Sequence, residues 1–517
     1  MNQFRIKARP TGSATTGTAA HELSAVEFAD TADPDQAVPK TTASPLDNDS
    51  VARTLRQATP YYSAYRRQLS PTQWLVVTMV AGPTAFGILV DPLLTAKVWV
   101  GVTTVLYIAL ILFRLNVVRH GWKEDAAIDP PLDQIVHIPT DRLPCYTVLV
   151  PLFREKRQTV SELLLSLAEL EYPAEKLDGF LLVEDDDRET RSALNGLALP
   201  SWLSILLIPP GAPRTKPKAL LHGLRAARGS YLTVYDAEDK PDRLQLKKAS
   251  WVFMNAGPSV ACLQAKLGYY NGRQNLLTRW FNLEYDDWFS LFLPGLHDLN
   301  APIPLGGTSN HFDIDVLHRS LAWDPYNVTE DADLGLRLAR LGRTTVMLES
   351  TTREEANSKL ANWIRQRSRW MKGYLQTVIV HTRHPTVLYR DLGPGKFASF
   401  LAVFVGGPFV ALVSPIFWVM LALWVIAQPS WIAALFSGWI YYASMTSFVL
   451  GTFALVFAAL LAAVRRGDDD LASYSLLLPV YWLLISVAAY VALIELILRP
   501  HHWHKTEHGL HIMESRQ

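Results

Sequence analysis

Tyr231-Leu232-Thr233-Val234-Tyr235-Asp236-Ala237-Glu238-Asp239 is a short apolar run that turns abruptly acidic. Its β-branched and aromatic residues suit a buried strand, and the acids begin where that strand must end. The same pattern occurs upstream, where Gly179–Val183 runs into Glu184-Asp185-Asp186-Asp187. Tyr146–Pro151 and Trp202–Ile208 are further strand-like runs, and helix-like stretches at Thr159–Leu170 and Pro217–Ala227 alternate with them. This β-α-β alternation predicts a mostly parallel sheet. Ligands of such sheets bind beyond the carboxyl ends of the strands, where both acidic runs fall.

Working outward, residues 139–385 have the composition of a soluble α/β domain, and both flanks are apolar. Trp74–Val90 and Val98–Val118 each approach the ~20 residues that cross a bilayer as a helix, which predicts a membrane hairpin over 72–118 with a connection from Asp91 to Lys97. Arg114 interrupts the second run. Arg66 and Arg67 before the hairpin, and Arg119 and Lys123 after it, place both ends in the cytoplasm by the positive-inside rule. After Lys396 the runs Phe397–Ala427, Ile440–Val464 and Tyr474–Leu498 are also long enough to span, so 396–498 is read as transmembrane or re-entrant helices. Arg465-Arg466 and Arg499 mark two inside ends with only one apolar run between them, which leaves the number of crossings open. Residues 1–65 are rich in Thr, Ala, Ser, Asp and Pro and read as a disordered cytoplasmic tail, and 499–517 as a short carboxyl-terminal tail. A net charge of +1 gives no case for nucleic acid as a partner. Two distant cysteines, Cys145 and Cys262, suit a reducing compartment and exclude a cysteine zinc site.

A third acidic cluster, Thr329-Glu330-Asp331 with Asp333, follows the first two. Crowded carboxylates repel one another unless a cation is present, and hard oxygen ligands suit Mg²⁺ or Mn²⁺ bridging to substrate phosphates. A single acidic run is usually a solvated loop. Two at neighbouring strand ends and a third beyond them point to a metal–diphosphate site. Lys216-Pro217-Lys218 opens the helix before the second cluster, and a lysine-bearing helix amino terminus favours phosphate. An amphipathic stretch near 358–377 reads as an interfacial helix. Within it Gln366, Arg369 and Trp370 share one face and offer an amide, a guanidinium and an indole to a sugar and a pyrophosphate.

Asp186-Asp187, Asp236-Ala237-Glu238, Thr329-Glu330-Asp331 and Gln366-Arg367-Ser368-Arg369-Trp370, in that order and between apolar flanks, resemble the processive membrane-bound family 2 glycosyltransferases, the group of cellulose, chitin, curdlan and hyaluronan synthases. The resemblance covers about residues 140–385 in motif detail. It implies a GT-A-type nucleotide-sugar-binding α/β domain inserted between transmembrane α-helices. It also implies that Asp186 holds the uracil or ribose of a UDP-sugar, with Arg154 and Glu155 nearby. Lys218 would contact the diphosphate, and Asp236 with Glu238 or Asp239 would place the metal. Asp331, beside Glu330, would be the general base. Trp370 would stack on the acceptor, Gln366 and Arg369 would line the donor site, and Gly306 to His311, with Ser309, Asn310 and His311, would form the acceptor-side loop. One departure is Leu221, where relatives often carry Asn.

The implied activity is an inverting, metal-dependent hexosyltransferase that builds a β-linked glycan in a bacterial inner or plasma membrane, with its catalytic domain cytoplasmic and accessory secretion proteins as partners. Two alternatives are a non-processive transferase acting on a lipid or lipid-linked acceptor and a non-catalytic membrane receptor. The ordered motif set and carboxyl-terminal spans favour the synthase. The receptor would be expected to lack Asp331 or the acids at 236–239.

Overall fold

The computed structural model describes residues 62–66 and 68–500, so the expected tails at 1–61 and 501–517 lie outside the described residues. Ser63 and Ala64, assigned to the tail from sequence, are instead buried against the soluble domain.

The chain opens with two apolar helices, α1 (Pro71–Val90) and α2 (Pro92–Gly121). The seven-residue connection expected between them is in fact the single residue Asp91. Its carboxylate accepts the Leu94 amide at 2.9 Å, and Pro92 supplies a fixed φ at the first helical position, so α2 starts at once.

The soluble domain then lays down β1 (Tyr146–Leu152), α3 (Arg157–Ala168), β2 (Leu177–Glu184), β3 (Leu203–Ile208), α4 (Lys216–Ala226), β4 (Tyr231–Val234) and α5 (Gln245–Asn255). It continues through β5 (Val260–Tyr269), α6 (Leu276–Asp287), β6 (Asn310–Asp313), α7 (Glu330–Arg340) and β7 (Thr344–Glu354). The seven strands form one sheet in the order β3-β2-β1-β4-β6-β5-β7. It is mixed rather than parallel throughout, because β6 runs antiparallel to both β4 and β5. That reversal matters. The start of β6 reaches the same sheet edge as the ends of β1, β2 and β4.

Side-chain alternation covers both faces of the sheet. Leu149, Leu182, Leu232 and Val234 pack with Leu220 and Leu224 of α4 on one side. Val148, Val150, Leu181 and Val183 pack with Val160 and Leu163 of α3 and Leu246 of α5 on the other.

Beyond the sheet come α8 (Leu360–His381), α9 (Pro385–Ala427), α10 (Trp439–Arg466) and α11 (Leu478–Leu498). Within the described residues five helical stretches are long and apolar enough to cross a membrane: α1, α2, α9, α10, and Asp469–Leu498, which contains α11. α9 is bent at Gly393, and short π-helical turns interrupt α9 and α10. α11 runs beside α8 in the same direction. The Trp363 and Tyr481 rings lie 5.2 Å apart, Lys372 Nζ meets Glu495 Oε2 at 2.8 Å, and Gln376 Nε2 donates to the Pro500 carbonyl at 2.7 Å. α11 therefore packs beside α8 from its first turn to its end.

The soluble domain meets the hairpin backbone to backbone. A Cβ placed on Gly295 would land on the Val117 carbonyl oxygen, and one on Gly121 would land on the Leu291 carbonyl. Gly295→Ala should therefore cost about 1–3 kcal/mol through overpacking. A clearly lower thermal midpoint of the detergent-solubilised protein checks this, and an unchanged midpoint would refute the close approach.

Candidate active site

A cavity of about 470 Å³ opens along the carboxyl edge of the sheet. Its walls follow from the topology: Pro151 and Leu152 end β1, Phe153 and Glu155 come after it, Glu184 ends β2, and Asp236 to Glu238 follow β4. Gly306 to Thr308 lead into the reversed β6, and Glu354 ends β7. Glu330 and Asp331, in the first turn of α7, close one side, and Gln366, Arg369 and Trp370 of α8 close another. The cavity then continues among Ala402, Val403, Gly407 and Pro408 of α9 and Ile485 and Ala488 of α11.

At its centre lie two acids and a lysine. Lys216 Nζ bonds to Asp236 and donates to the Gly307 carbonyl at 2.6 Å. A Cβ on Gly307 would sit 3.2 Å from Asp331 Oδ2, 3.6 Å from Lys216 Nζ and 4.0 Å from Asp236 Oδ2. Glycine at 307 thus keeps open the space in which these three groups meet.

The electrostatics follow from that crowding. Burial pushes the Glu330 carboxyl up, and the Asp331 charge pushes it further, to about 8. Burial also raises Asp331, restrained by the Ala332 amide, which it accepts at 2.7 Å, and by Lys216 and Arg369. Desolvation would lower the Lys216 ammonium, but Asp236, Glu330 and Asp331 outweigh it and hold its pKa above the ordinary lysine value. Desolvation lowers Arg369 despite the nearby charges of Glu330, Asp331 and Asp236.

Other residues expected at the site stand elsewhere. Lys218 is fully buried, donating to Glu184 Oε1 at 2.6 Å and the Gly211 carbonyl at 2.9 Å, so its ammonium is engaged beneath the wall. Lys216 is the lysine that faces the cavity. Ser309, Asn310 and His311 are buried in and beside β6 rather than on an acceptor loop. Ser309 Oγ donates to Thr352 Oγ1 at 2.6 Å, Asn310 bonds to the Gly306 carbonyl, and His311 Nδ1 pairs with the Tyr146 hydroxyl at 2.7 Å. Asp186 and Arg154 are exposed and lie outside the cavity wall, Asp186 paired with Arg214, which does line it. Asp187 accepts the Arg154 amide at 2.6 Å and the Thr190 amide at 3.2 Å, so it caps a helix.

The ambiguous second acid of the 236–239 cluster has a geometric answer. Asp239 is buried and turned away, accepting the Asp236 amide at 2.7 Å and the Thr308 hydroxyl. Burial and the Asp236 and Glu238 charges hold its carboxyl well above the usual range. Glu238 lines the cavity beside Asp236. Glu354 joins them, because backbone pairing of Lys240 with Arg353 pins the end of β7 to this turn. Burial and the charges of Asp239, Glu238 and Asp236 raise the Glu354 carboxyl well above its ordinary value. Among the described residues no group of three or more His, Cys, Asp and Glu side chains converges to hold a metal unaided. Asp236 and Glu238, which both line the cavity, are oxygen donors of the kind that suit Mg²⁺ or Mn²⁺ completed by substrate phosphates.

Beside the α8 wall, Arg367 lies 4.5 Å from the Phe281 ring centroid and 4.6 Å from that of Trp370. Its guanidinium bonds to Glu284 and to the Tyr481 hydroxyl at 3.1 Å, which ties the Trp370 platform to α11.

Several known proteins share these sequences. The probable glycosyltransferase YdaM of Bacillus subtilis (strain 168) is 25% identical over 240 residues, 46% of this chain and 57% of that protein. Cellulose synthase 2 of Novacetimonas hansenii is 27% identical over 289 residues, 52% of this chain and 16% of that protein. The chain thus spans little more than half of the first relative and a small part of the second. A solved mannosyltransferase, PcManGT from Pyrobaculum calidifontis in complex with GDP-Man and Mn²⁺, aligns over 76% of this chain and 98% of its own at 17% identity and a TM-score of 0.43. The pattern of Glycosyl transferase family 2 matches residues 147–311, across the strands that carry Glu184 and Asp236. That of Glycosyl transferase family group 2 matches 231–492, from β4 through the α7 acids and the Trp370 helix into α11. With just over half of its length so matched, the chain belongs to Glycosyl transferase family group 2.

Proposed function

We propose that this glycosyltransferase is an inverting polysaccharide synthase that moves a sugar from a UDP-sugar onto a growing β-linked glycan and passes the product across the membrane. The observation that carries this reading is the continuity of one cavity from the ends of β1 and β2, past Asp236 and Asp331, to α9 and α11. In the reaction Asp331 accepts the proton of the acceptor hydroxyl. The freed oxygen forms its bond to the anomeric carbon on the face opposite the diphosphate, whose bond to that carbon breaks. Lys216 faces the departing negative charge. Asp236 and Glu238 would hold a divalent cation, which would supply further positive charge to the diphosphate. Trp370 offers its indole face to the acceptor sugar, and Gln366 and Arg369 border the donor.

The catalytic domain is placed on the cytoplasmic side, in a bacterial inner or plasma membrane. α1, α2, α9 and α10 are assigned as crossings, with α11 as a re-entrant helix beside α8, and accessory secretion proteins are assigned as partners. A second reading, transfer to a lipid-linked acceptor, draws support from the aliphatic membrane end of the cavity, where Ala402, Val403, Ile485 and Ala488 would suit a lipid tail.

Purified protein incubated with a panel of UDP-sugars and Mg²⁺ or Mn²⁺, followed by linkage analysis, tests the assignment. A β-linked polymer supports synthesis, whereas a single addition to added lipid acceptor moves the assignment to the second reading.

The raised Asp331 and Glu330 carboxyls carry a pH signature. The base works only when deprotonated, so kcat/KM should rise with pH along a limb whose midpoint lies above the ordinary carboxylate value of about 4. A pH–rate profile at saturating metal checks it. A limb at or below that value would contradict the burial argument.

A further inference from the structure

We propose that residues 62–66 form a strap that positions the α7 acids, with Asp324 as the positioning residue through which it acts. The proposal rests on the reading of Asp331 as the base. The strap lies just ahead of α1 and is far in sequence from every group that faces the cavity. Yet it grips both ends of the segment that carries those acids.

At one end, the buried Asp324 carboxylate accepts the Ser63 hydroxyl at 3.1 Å and the Ala64 amide at 2.6 Å. The same carboxylate accepts the Tyr326 amide at 3.1 Å, so the strap and the loop entering α7 share one anchor. At the other end, the Tyr62 hydroxyl accepts from Arg340, the last residue of α7, at 3.0 Å, and the Arg340 guanidinium lies 4.6 Å from the Tyr62 ring centroid. Arg383, buried at the end of α8, donates to the Ser63 carbonyl at 3.0 Å and the Arg66 carbonyl at 2.5 Å.

The loop between these anchors is hydrogen-bonded to α8 and to the residue before α4. The Val328 amide donates to Gln376 Oε1 at 3.1 Å, Asn327 Nδ2 to Thr377 Oγ1 at 3.1 Å, and Thr215 Oγ1 to the Pro325 carbonyl at 3.0 Å. Thr215 precedes Lys216, so the same loop also touches the lysine side of the site. The circuit closes where Gln73 of α1 donates to the Ile379 carbonyl at 2.7 Å and to Thr382 Oγ1 at 2.9 Å. Membrane helix, strap, base loop and acceptor helix are thus one hydrogen-bonded ring. Loosening the strap shifts Asp331 relative to the bound donor without removing any group that touches substrate. A misplacement of order 1 Å can cost ~10²-fold in rate.

The test uses Ala64→Pro, which deletes the amide N–H donated to Asp324, and Asp324→Asn, which replaces an accepting oxygen with a donating amide nitrogen, both in the full chain. Turnover is expressed per nucleotide-binding site, measured by UDP titration, so that unfolded protein does not count. Both variants should lose about 10- to 10²-fold in kcat while the donor KM stays within about two-fold. A kcat per binding site equal to wild type in both variants overturns the strap. Asp331→Asn, assayed alongside, separates the two ideas: activity retained there refutes the base assignment, whereas an inactive Asp331→Asn beside fully active strap variants refutes the strap alone.

Discussion

Asp331→Asn should lower kcat by ~10²–10⁴-fold, the range typical of a lost general base, while UDP affinity stays within about two-fold of wild type. The geometry makes both halves of this expectation necessary. Asp331 stands at the point where Gly307 leaves room beside Lys216 and Asp236, and its Oδ1 is occupied by the Ala332 amide. The other oxygen is the one that Gly307 would crowd, so it is the atom placed to take a proton. Asparagine keeps the shape and the Ala332 hydrogen bond but cannot accept that proton. Lys216, Glu184 and Arg214, which line the same cavity and are proposed to border the nucleotide, keep their places in its wall. Single-turnover kinetics with UDP titration measures both quantities. Near-wild-type turnover would move the base role to Glu330.

Asp236→Asn should reduce kcat/KM by ~10²–10³-fold and abolish saturation by Mn²⁺. A metal acting on a leaving diphosphate is worth several kcal/mol of charge stabilisation, and each ~1.4 kcal/mol is a factor of ten in rate. Asp236 pairs with Lys216 and lies beside Gly307 and Asp331, so its loss would remove the proposed cation ligand together with the partner of the lysine. Glu238→Gln should show the same altered Mn²⁺ dependence. Asp239→Asn should instead lower stability and leave the Mn²⁺ titration midpoint in place, because Asp239 braces the turn through Asp236 and Thr308. A shifted midpoint in Asp239→Asn would exchange the roles of these two neighbours.

Four strands and the helices between them were legible, because each is an apolar run ending in acids or turn residues. β5, β6 and β7 were hidden, and for β5 and β6 the reason is physical. Gln264, Asn310 and His311 interrupt their apolar pattern, yet all three are buried and each makes a hydrogen bond that no local pattern announces. The choice between Lys216 and Lys218 turned on rotation. Two residues apart on a helix, they point about 200° away from each other, and only packing decides which faces in. Glu238 and Asp239 pose the same problem in a turn. Two site residues carried a readable signal that went unused. Glu354 and Glu355 end a strand as the other acids do, and Arg114 is a charge within an apolar span, a feature that marks function in membrane segments. Arg114 lines the cavity and pairs with Asp287.

The pairing of α8 with α11 sets an order of assembly. Proteins are made from the amino terminus, and domains fold as they emerge. The acids at 236–239 and 330–331 and the Trp370 helix are all synthesised before residue 478, where α11 begins. Tyr481 and Glu495, which hold Arg367 and Lys372, and Ile485 and Ala488, which line the cavity, come later. The membrane end of the cavity is therefore completed only when α11 packs against α8.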